Sequence, residues 1–254
     1  MEKLKHLKQA VILAGGRGKR LSPLTDKMPK PMVLVNGIPF LDYLISSIFQ
    51  AGIKRILILT GYKGENIVER YRKLLNEEIE IDYSIGAAED QTGRRLLNAY
   101  GLLDDYFLLL YGDNYWPMEL NKMLDLYNQR NVKMLTTVFS NRKGTGEYGQ
   151  ENNIRVRKDK FVEVYDKSRK SADLNGVDIG YFIVNKDAIA PNPVGNISFE
   201  EYLLPRLVSE RQLIAYVTDT QYYYITDINS LKDFEAVVIE KDIKPMPKSY
   251  FKGR

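Results

Sequence analysis

Three stretches of this chain are apolar on successive residues instead of alternating: Gln9–Ala14 (QAVILA), Arg55–Thr60 (RILILT) and Tyr106–Tyr111 (YFLLLY). Neighbouring side chains of a strand point to opposite faces, so strands like these must be covered on both sides. The covering elements are legible too. Phe40–Gln50 sets Phe40, Leu41, Leu44, Ile45, Ile48 and Phe49 on one helical stripe before Gly52 ends it, and Glu65–Leu75 does the same with Ile67, Val68, Tyr71, Leu74 and Leu75. Strands alternating with such helices predict a mainly parallel sheet with helices on both faces. Ligands of these sheets bind at the carboxyl ends of strands.

Further elements follow in order. A strand is expected at Met32–Val35, closed by Asn36-Gly37, another at Ile79–Ile85, and a helix at Arg94–Leu103. Pro117 opens a helix to about Gln129, and Val132–Ser140 is a strand. The second half changes character: Asn153–Val156, Phe161–Tyr165 and Val177–Val184 read as closely spaced strands, hairpins laid against the first sheet. Ser198 with Glu201 three residues on is a capping box that starts a helix. Strands Leu213–Thr218 and Tyr222–Thr226 and a closing helix Ser230–Glu240 complete one α/β domain over 1–240, and 241–254 reads as a basic tail.

Composition narrows the chemistry. The chain has no cysteine and a single histidine, His6, in a basic leader. Thiolate nucleophiles, disulfides and histidine relays are therefore excluded, and carboxylates, Lys, Arg and a metal remain. The net charge of +4 sits partly at the two ends, which is a poor footprint for nucleic acid. No apolar run approaches the length that spans a bilayer. The expectation is a cytoplasmic protein with no nucleic-acid or membrane partner; assembly into a homo-oligomer is compatible with the sequence.

The first strand ends in Gly15, Gly16 and Gly18, followed by Lys19, Arg20, Lys27 and Lys30. Glycine lets backbone N–H groups approach and turn toward an anion, and the cations supply counter-charge, so this loop suits a phosphate-rich ligand. It matches neither the P-loop nor the three-glycine dinucleotide fingerprint. Pro29 and Pro31 stiffen the chain around Lys30. Asp113, directly after YFLLLY, lies at the same edge of the sheet and is the expected metal ligand.

The stretch LAGGRGKRLSPLTDKMPKPMVLVNGIPFLDYLI, from Leu13 to Ile45, resembles the N-terminal signature of the sugar-1-phosphate nucleotidyltransferases, LAGGxGxRLxPLTxxxPKPMxxxxGxPxL. ILTGYKGENI, YGDN, EYG at 147–149, Asp166-Lys167 and TDINS at 226–230 extend the resemblance in order over residues 9 to 240. It implies a Rossmann-like mixed sheet with a β-rich sugar-binding insert, residues 1–140 serving the nucleotide and 141–240 the sugar phosphate. It implies that Leu13, Ala14, Gly15, Gly16, Gly18, Gln91, Thr92, Gly93 and Gly112 contact the nucleoside triphosphate. Arg20 and Lys30, with Asp113, would be catalytic; Asp113 and Asp227 would hold Mg²⁺. Tyr148, Gly149, Tyr165, Lys167 and Asp178 would contact the sugar 1-phosphate. The implied reaction is attack of the sugar-phosphate oxygen on the α-phosphorus with loss of pyrophosphate. That nucleophile is already an anion, so the lack of a usable histidine is no handicap, and positioning and counter-charge carry the catalysis.

Three departures from the signature bear on substrate. The base-binding turn, commonly LGTGGAL, is DQTGRRL here, so Arg94 and Arg95 replace two small residues and either face solvent or enter the nucleotide region. Glu89 and Asp90 could accept hydrogen bonds from guanine, which favours GTP over CTP or dTTP. Tyr165 and Asp178 alter the sugar pocket and suggest a heptose or a modified hexose; the nearest group in pattern is the heptose-1-phosphate guanylyltransferases. The competing reading is a non-catalytic nucleotide- or sugar-phosphate-binding regulatory module of the same fold. Retention of Arg20, Lys30, Asp113 and Asp227 together argues against it.

Overall fold

The computed structural model describes residues 4–74, 77–146, 149, 151–189 and 195–251. In chain order its main elements are β1 (Gln9–Leu13), α1 (Phe40–Gln50), β2 (Arg55–Thr60), α2 (Gly64–Tyr71), β3 (Glu80–Ile85), α3 (Thr92–Asn98), β4 (Tyr106–Tyr111) and α4 (Leu120–Tyr127). Then come β5 (Met134–Phe139), β6 (Val177–Asn185), α5 (Leu204–Ser209), β7 (Leu213–Thr218) and α6 (Ile228–Glu240). The seven strands form one sheet in the order β3-β2-β1-β4-β6-β5-β7. Only β6 runs against its neighbours β4 and β5.

The central strands are buried on both sides, as their unbroken apolar runs require. Along β1, Ala10 and Ile12 face a core built with α1, α2, α4 and α6, while Val11 and Leu13 face one built with α3 and α5. The register then sets the site. Leu13 lies opposite both Leu59 of β2 and Tyr111 of β4, so the residues that follow all three strands emerge at one edge. The ladder continues a step further through Ala14 N–H to Leu59 O (3.0 Å) and Gly112 N–H to Leu13 O (3.0 Å).

The second half departs from the expected insert. Val177–Asn185 is not part of a hairpin laid on the sheet but a member of it, and of the three strands expected there Ile154–Val156 and Val162–Tyr165 alone form a separate antiparallel pair. The physical reason is burial: β6 is apolar or buried along nearly its whole length, so it gains more between two strands than against a face. Met32–Val35 splits into a 3-10 turn, Lys30–Met32, and a two-residue strand, Leu34–Val35, pairing with Ile38–Pro39. The strand is shortened because the Met32 and Val33 N–H groups close the turn on Pro29 O (2.9 Å) and Lys30 O (3.1 Å). Residues 242–251 are docked: Met246 is buried, and the ring of Phe251 lies under the Arg70 guanidinium at 4.6 Å.

Candidate active site

A cavity of about 510 Å³ opens at the carboxyl edge of the sheet. Of the residues expected there, Leu13, Ala14, Gly15, Gly16, Lys30, Gln91, Thr92, Gly112, Asp113 and Lys167 line it. Lys30 stands on the proline-flanked 3-10 turn and its Nζ meets Asp113 Oδ2 at 2.6 Å, with the lysine side chain only 13% exposed. Across the cavity, Lys167 Nζ lies 3.3 Å from Glu200 Oε2 and 3.7 Å from Glu201 Oε1. Glu200 is pushed up from the usual carboxylate range by burial, against the pull of Lys167. The lining thus carries two cations, each beside carboxylates that phosphates can displace or join.

Other expected residues support the site without lining it. Gly18 holds a left-handed φ of 62°, and a Cβ there would fall 2.9 Å from Lys30 Cβ. Its carbonyl accepts from Leu21 N–H (2.9 Å) and Thr25 Oγ1 (3.0 Å), so it shapes the turn that carries Lys30. Gly93 lets α3 approach the segment before α5: a Cβ would come 2.9 Å from Ile197 O, Arg94 N–H reaches that carbonyl at 3.0 Å, and Thr92 Oγ1 accepts from Phe199 N–H at 2.9 Å. Gly149 takes a left-handed φ of 62° and donates to Gly146 O at 3.0 Å; Tyr148 lies outside the described residues.

Tyr165 and Asp178 bond to each other. Tyr165 Oη donates to Asp178 Oδ2 (3.0 Å), while Thr136 Oγ1 (2.9 Å) and Gly180 N–H (3.1 Å) donate to Oδ1. Burial pushes the Asp178 carboxyl up to about 6 despite these donors. Asp178 sits where the β6 register breaks, and Gly180 is needed there, since φ is 78° and a Cβ would strike the Tyr111 ring at 2.1 Å. Tyr111 lines the cavity, so the expectation of direct sugar contact by Asp178 is corrected: it is buried behind that wall, satisfied by its neighbours.

Asp227 caps α6, its Oδ1 accepting from Ser230 N–H at 2.9 Å. That hydrogen bond holds its carboxyl below the usual range, with the nearby charge of Arg20 adding to the effect. Arg20 is exposed on the 3-10 turn Lys19–Leu21 and does not line the cavity. Asp227 is brought toward Asp113 by a short antiparallel pair, Asn114–Tyr115 with Tyr223–Tyr224, and by Ile225 N–H to Asp113 O at 3.1 Å. Of the two arginines in the altered turn, Arg95 is buried at 4% exposure and lines the cavity.

Glu200, Glu201 and Tyr111 were not anticipated. The glutamates stand in the first turn after Ser198, the cap that the sequence marks. Tyr111 is the last residue of a strand read only as core.

The sequence model of the nucleotidyl transferase family matches residues 9–192. The chain belongs to that family. Among proteins similar to this transferase is D-glycero-alpha-D-manno-heptose 1-phosphate guanylyltransferase of Aneurinibacillus thermoaerophilus, 26% identical over 229 residues, 89% of this chain and 95% of that one. The probable glucose-1-phosphate cytidylyltransferase of Bacillus subtilis is 25% identical over 251 residues, 90% and 94% of the two chains. HddC from Yersinia pseudotuberculosis shares the fold, with a TM-score of 0.75 at 23% identity over 91% of this chain and 99% of that one. A complex of HddC with GMP-PN gives a TM-score of 0.71 at 24% identity, covering 89% and 97%. No helix of the transferase, among the described residues, is long and apolar enough to cross a membrane.

Proposed function

We propose that this enzyme joins a nucleoside triphosphate, GTP in our reading, to the 1-phosphate of a heptose or a modified hexose. The products are a nucleotide-activated sugar and pyrophosphate. The observation that carries the proposal is one cavity shared by a glycine-rich strand end, the Lys30–Asp113 pair and Lys167. Two anions must meet there. An oxygen of the sugar phosphate forms a bond to the α-phosphorus as the bond to the bridging oxygen of pyrophosphate breaks, and the leaving group departs with that electron pair. Backbone N–H groups of Gly15 and Gly16 turn toward the phosphates, Lys30 faces the reacting phosphorus, and Lys167 faces the sugar phosphate. Arg20, at the rim, adds counter-charge beside Asp227.

The donor set suits Mg²⁺. Among the described residues no three acidic or histidine side chains gather to hold a metal unaided. Two carboxylates, Asp113 and Asp227, remain, and Mg²⁺ favours one or two carboxylates completed by phosphate oxygens and water. When bound, the ion would neutralise charge developing on the phosphates. The test is a pyrophosphate-release screen that crosses four ribonucleoside triphosphates and dTTP with a panel of sugar 1-phosphates, with and without Mg²⁺. Release with one combination is expected. Tight triphosphate binding without release under any sugar phosphate would favour the non-catalytic module.

A further inference from the structure

Arg95 is held unusually for a cation that is 4% exposed. Its Nη1 donates to Thr60 O (2.6 Å), and its Nη2 donates to Gly15 O (3.2 Å) and Ala87 O (2.9 Å). Those carbonyls stand at the ends of β2, β1 and β3, three adjacent parallel strands. Glycines make the room. A Cβ at Gly15 would lie 2.2 Å from the guanidinium carbon, one at Gly61 2.3 Å from Nη1, and one at Gly86 3.1 Å from Nη1. A guanidinium carries five N–H donors and stays charged. Three are accounted for by the carbonyls, which leaves one on Nη1 and the one on Nε.

As a mere filler this is a poor choice. An apolar side chain would occupy the space behind three strand ends without the desolvation that a buried charge imposes. The guanidinium lines the cavity, and Asp90 lines it too. Asp90 Oδ2 accepts from Ala87 N–H (2.9 Å) and Asn98 Nδ2 (3.2 Å), which fixes the carboxylate and leaves Oδ1 for a ligand. Glu89, by contrast, reaches Arg17 at 3.1 Å on the exposed side. A fixed cationic donor beside a fixed anionic acceptor demands a ligand edge with a carbonyl next to ring and exocyclic N–H groups.

We infer that Arg95 is the specificity-determining residue of the base subsite, its guanidinium donating to a base carbonyl while Asp90 accepts from the adjoining N–H groups. This rests on the reading of the cavity as the triphosphate site. Guanine offers O6, N1–H and the N2 amine in that order. Uracil and thymine offer a carbonyl and one ring N–H. Adenine offers an amine and a bare ring nitrogen, which sets donor against donor and leaves Asp90 facing a lone pair; a built polar site rejects such a mismatch strongly.

The experiment measures kcat/KM and equilibrium binding of GTP, ITP, ATP, UTP, CTP and dTTP for the wild type, Arg95→Met, Arg95→Lys and Asp90→Asn, with melting curves for each. Arg95→Met should weaken GTP roughly ten- to a hundredfold, the scale of a lost base-reading pair. ATP should change least, and the KM for the sugar phosphate should not move. Arg95→Lys should recover part of the ranking. ITP lacks the N2 amine, so a GTP preference over ITP in the wild type should vanish in Asp90→Asn. A folded Arg95→Met with an unchanged triphosphate ranking overturns the inference. If Arg95→Met does not fold, an unchanged GTP/ITP ratio in Asp90→Asn overturns it instead. A ranking that changes in Arg95→Met but is headed in the wild type by another keto base keeps the role of Arg95 and removes guanine. If no pyrophosphate is released in any combination, the proposed reaction falls, and the binding data alone decide the role of Arg95.

Discussion

At the scale of single residues, the Lys30–Asp113 contact gives the sharpest expectation. Each partner is one of two charges at 2.6 Å beside the glycine loop. Asp113→Asn removes the carboxylate paired with Lys30 and, under the proposed function, one of the two that would hold Mg²⁺, and it should lower kcat by at least about a hundredfold, the scale of one lost transition-state contact. Both side chains reach solvent, so the melting temperature should stay within a few degrees. Near-normal turnover would take Asp113 out of the reaction. Asp178 makes a different prediction. Its carboxyl titrates at about 6 when folded and near the ordinary 3.8 when unfolded, because burial disfavours the charge. The folded state therefore holds the proton more tightly, and stability falls as pH rises through the window from about 4 to 6. Two units correspond to about 3 kcal/mol. Urea unfolding at pH 4.5, 6 and 7 should show the wild type losing ground against Asp178→Asn by up to that amount; a constant difference would contradict the buried charge.

The same scale shows what a sequence can and cannot disclose. The glycines after β1, Lys30 and Asp113 stand out through the family signature, and their strand ends and proline bracket account for their meeting at one cavity. Asp178 is placed in the sugar pocket by the resemblance alone, which carries a position in a motif but not the burial of its side chain. Its actual partners, Thr136, Gly180 and Tyr165, lie on three separate segments that only the folded sheet assembles. The sequence around Arg95 fits both a solvent-facing and a site-facing side chain. Nothing local says that three remote glycines have made space for it.

At the scale of elements, strands with unbroken apolar runs were read to the residue: Arg55–Thr60, Tyr106–Tyr111 and Leu213–Thr218 stand as expected. Helix α1 did as well, since its stripe, its preceding proline and its stop agree. Ends without such punctuation slipped. Arg94–Leu103 is α3 plus a 3-10 turn at Tyr100–Leu102, and the helix from Ser198 opens with a π turn, Phe199–Leu203, before α5. That π turn carries Glu200 to the cavity, and Ser198 Oγ caps it by accepting from Glu201 N–H at 3.2 Å. Ser198→Ala should destabilise the fold by about 1 kcal/mol, the usual worth of such a cap. It should also raise the KM for the sugar phosphate more than that for the triphosphate. Equal shifts in both would detach this turn from the sugar side. The docked segment 246–251 yields a simpler expectation. Met246 is 2% exposed, so Met246→Ala should cost about 2–5 kcal/mol in denaturant unfolding.

At the scale of the molecule, β6 comes from late in the chain and lies between β4 and β5. A division at residue 140 is therefore not a division of folding units. In a fragment of residues 1–140, β5 would find none of its partners, because it pairs only with β6 and β7. The outer edge of β4 would lie bare. Such a fragment should show no cooperative melt and should aggregate, whereas the whole chain should unfold in a single transition.

Insertion of that late strand also bears on how the enzyme comes into being during synthesis. A nascent chain that has left the ribosome as far as Phe139 already carries its glycine loop, Lys30 and Asp113, yet its sheet has a missing rung. Chaperones that shield bare strand edges have reason to stay with it until the rung arrives. Lys167 and Glu200 are delivered by the same stretch of translation that supplies the rung, and β7 and Asp227 follow it, so the cavity and the sheet are completed only when the last quarter of the chain has emerged.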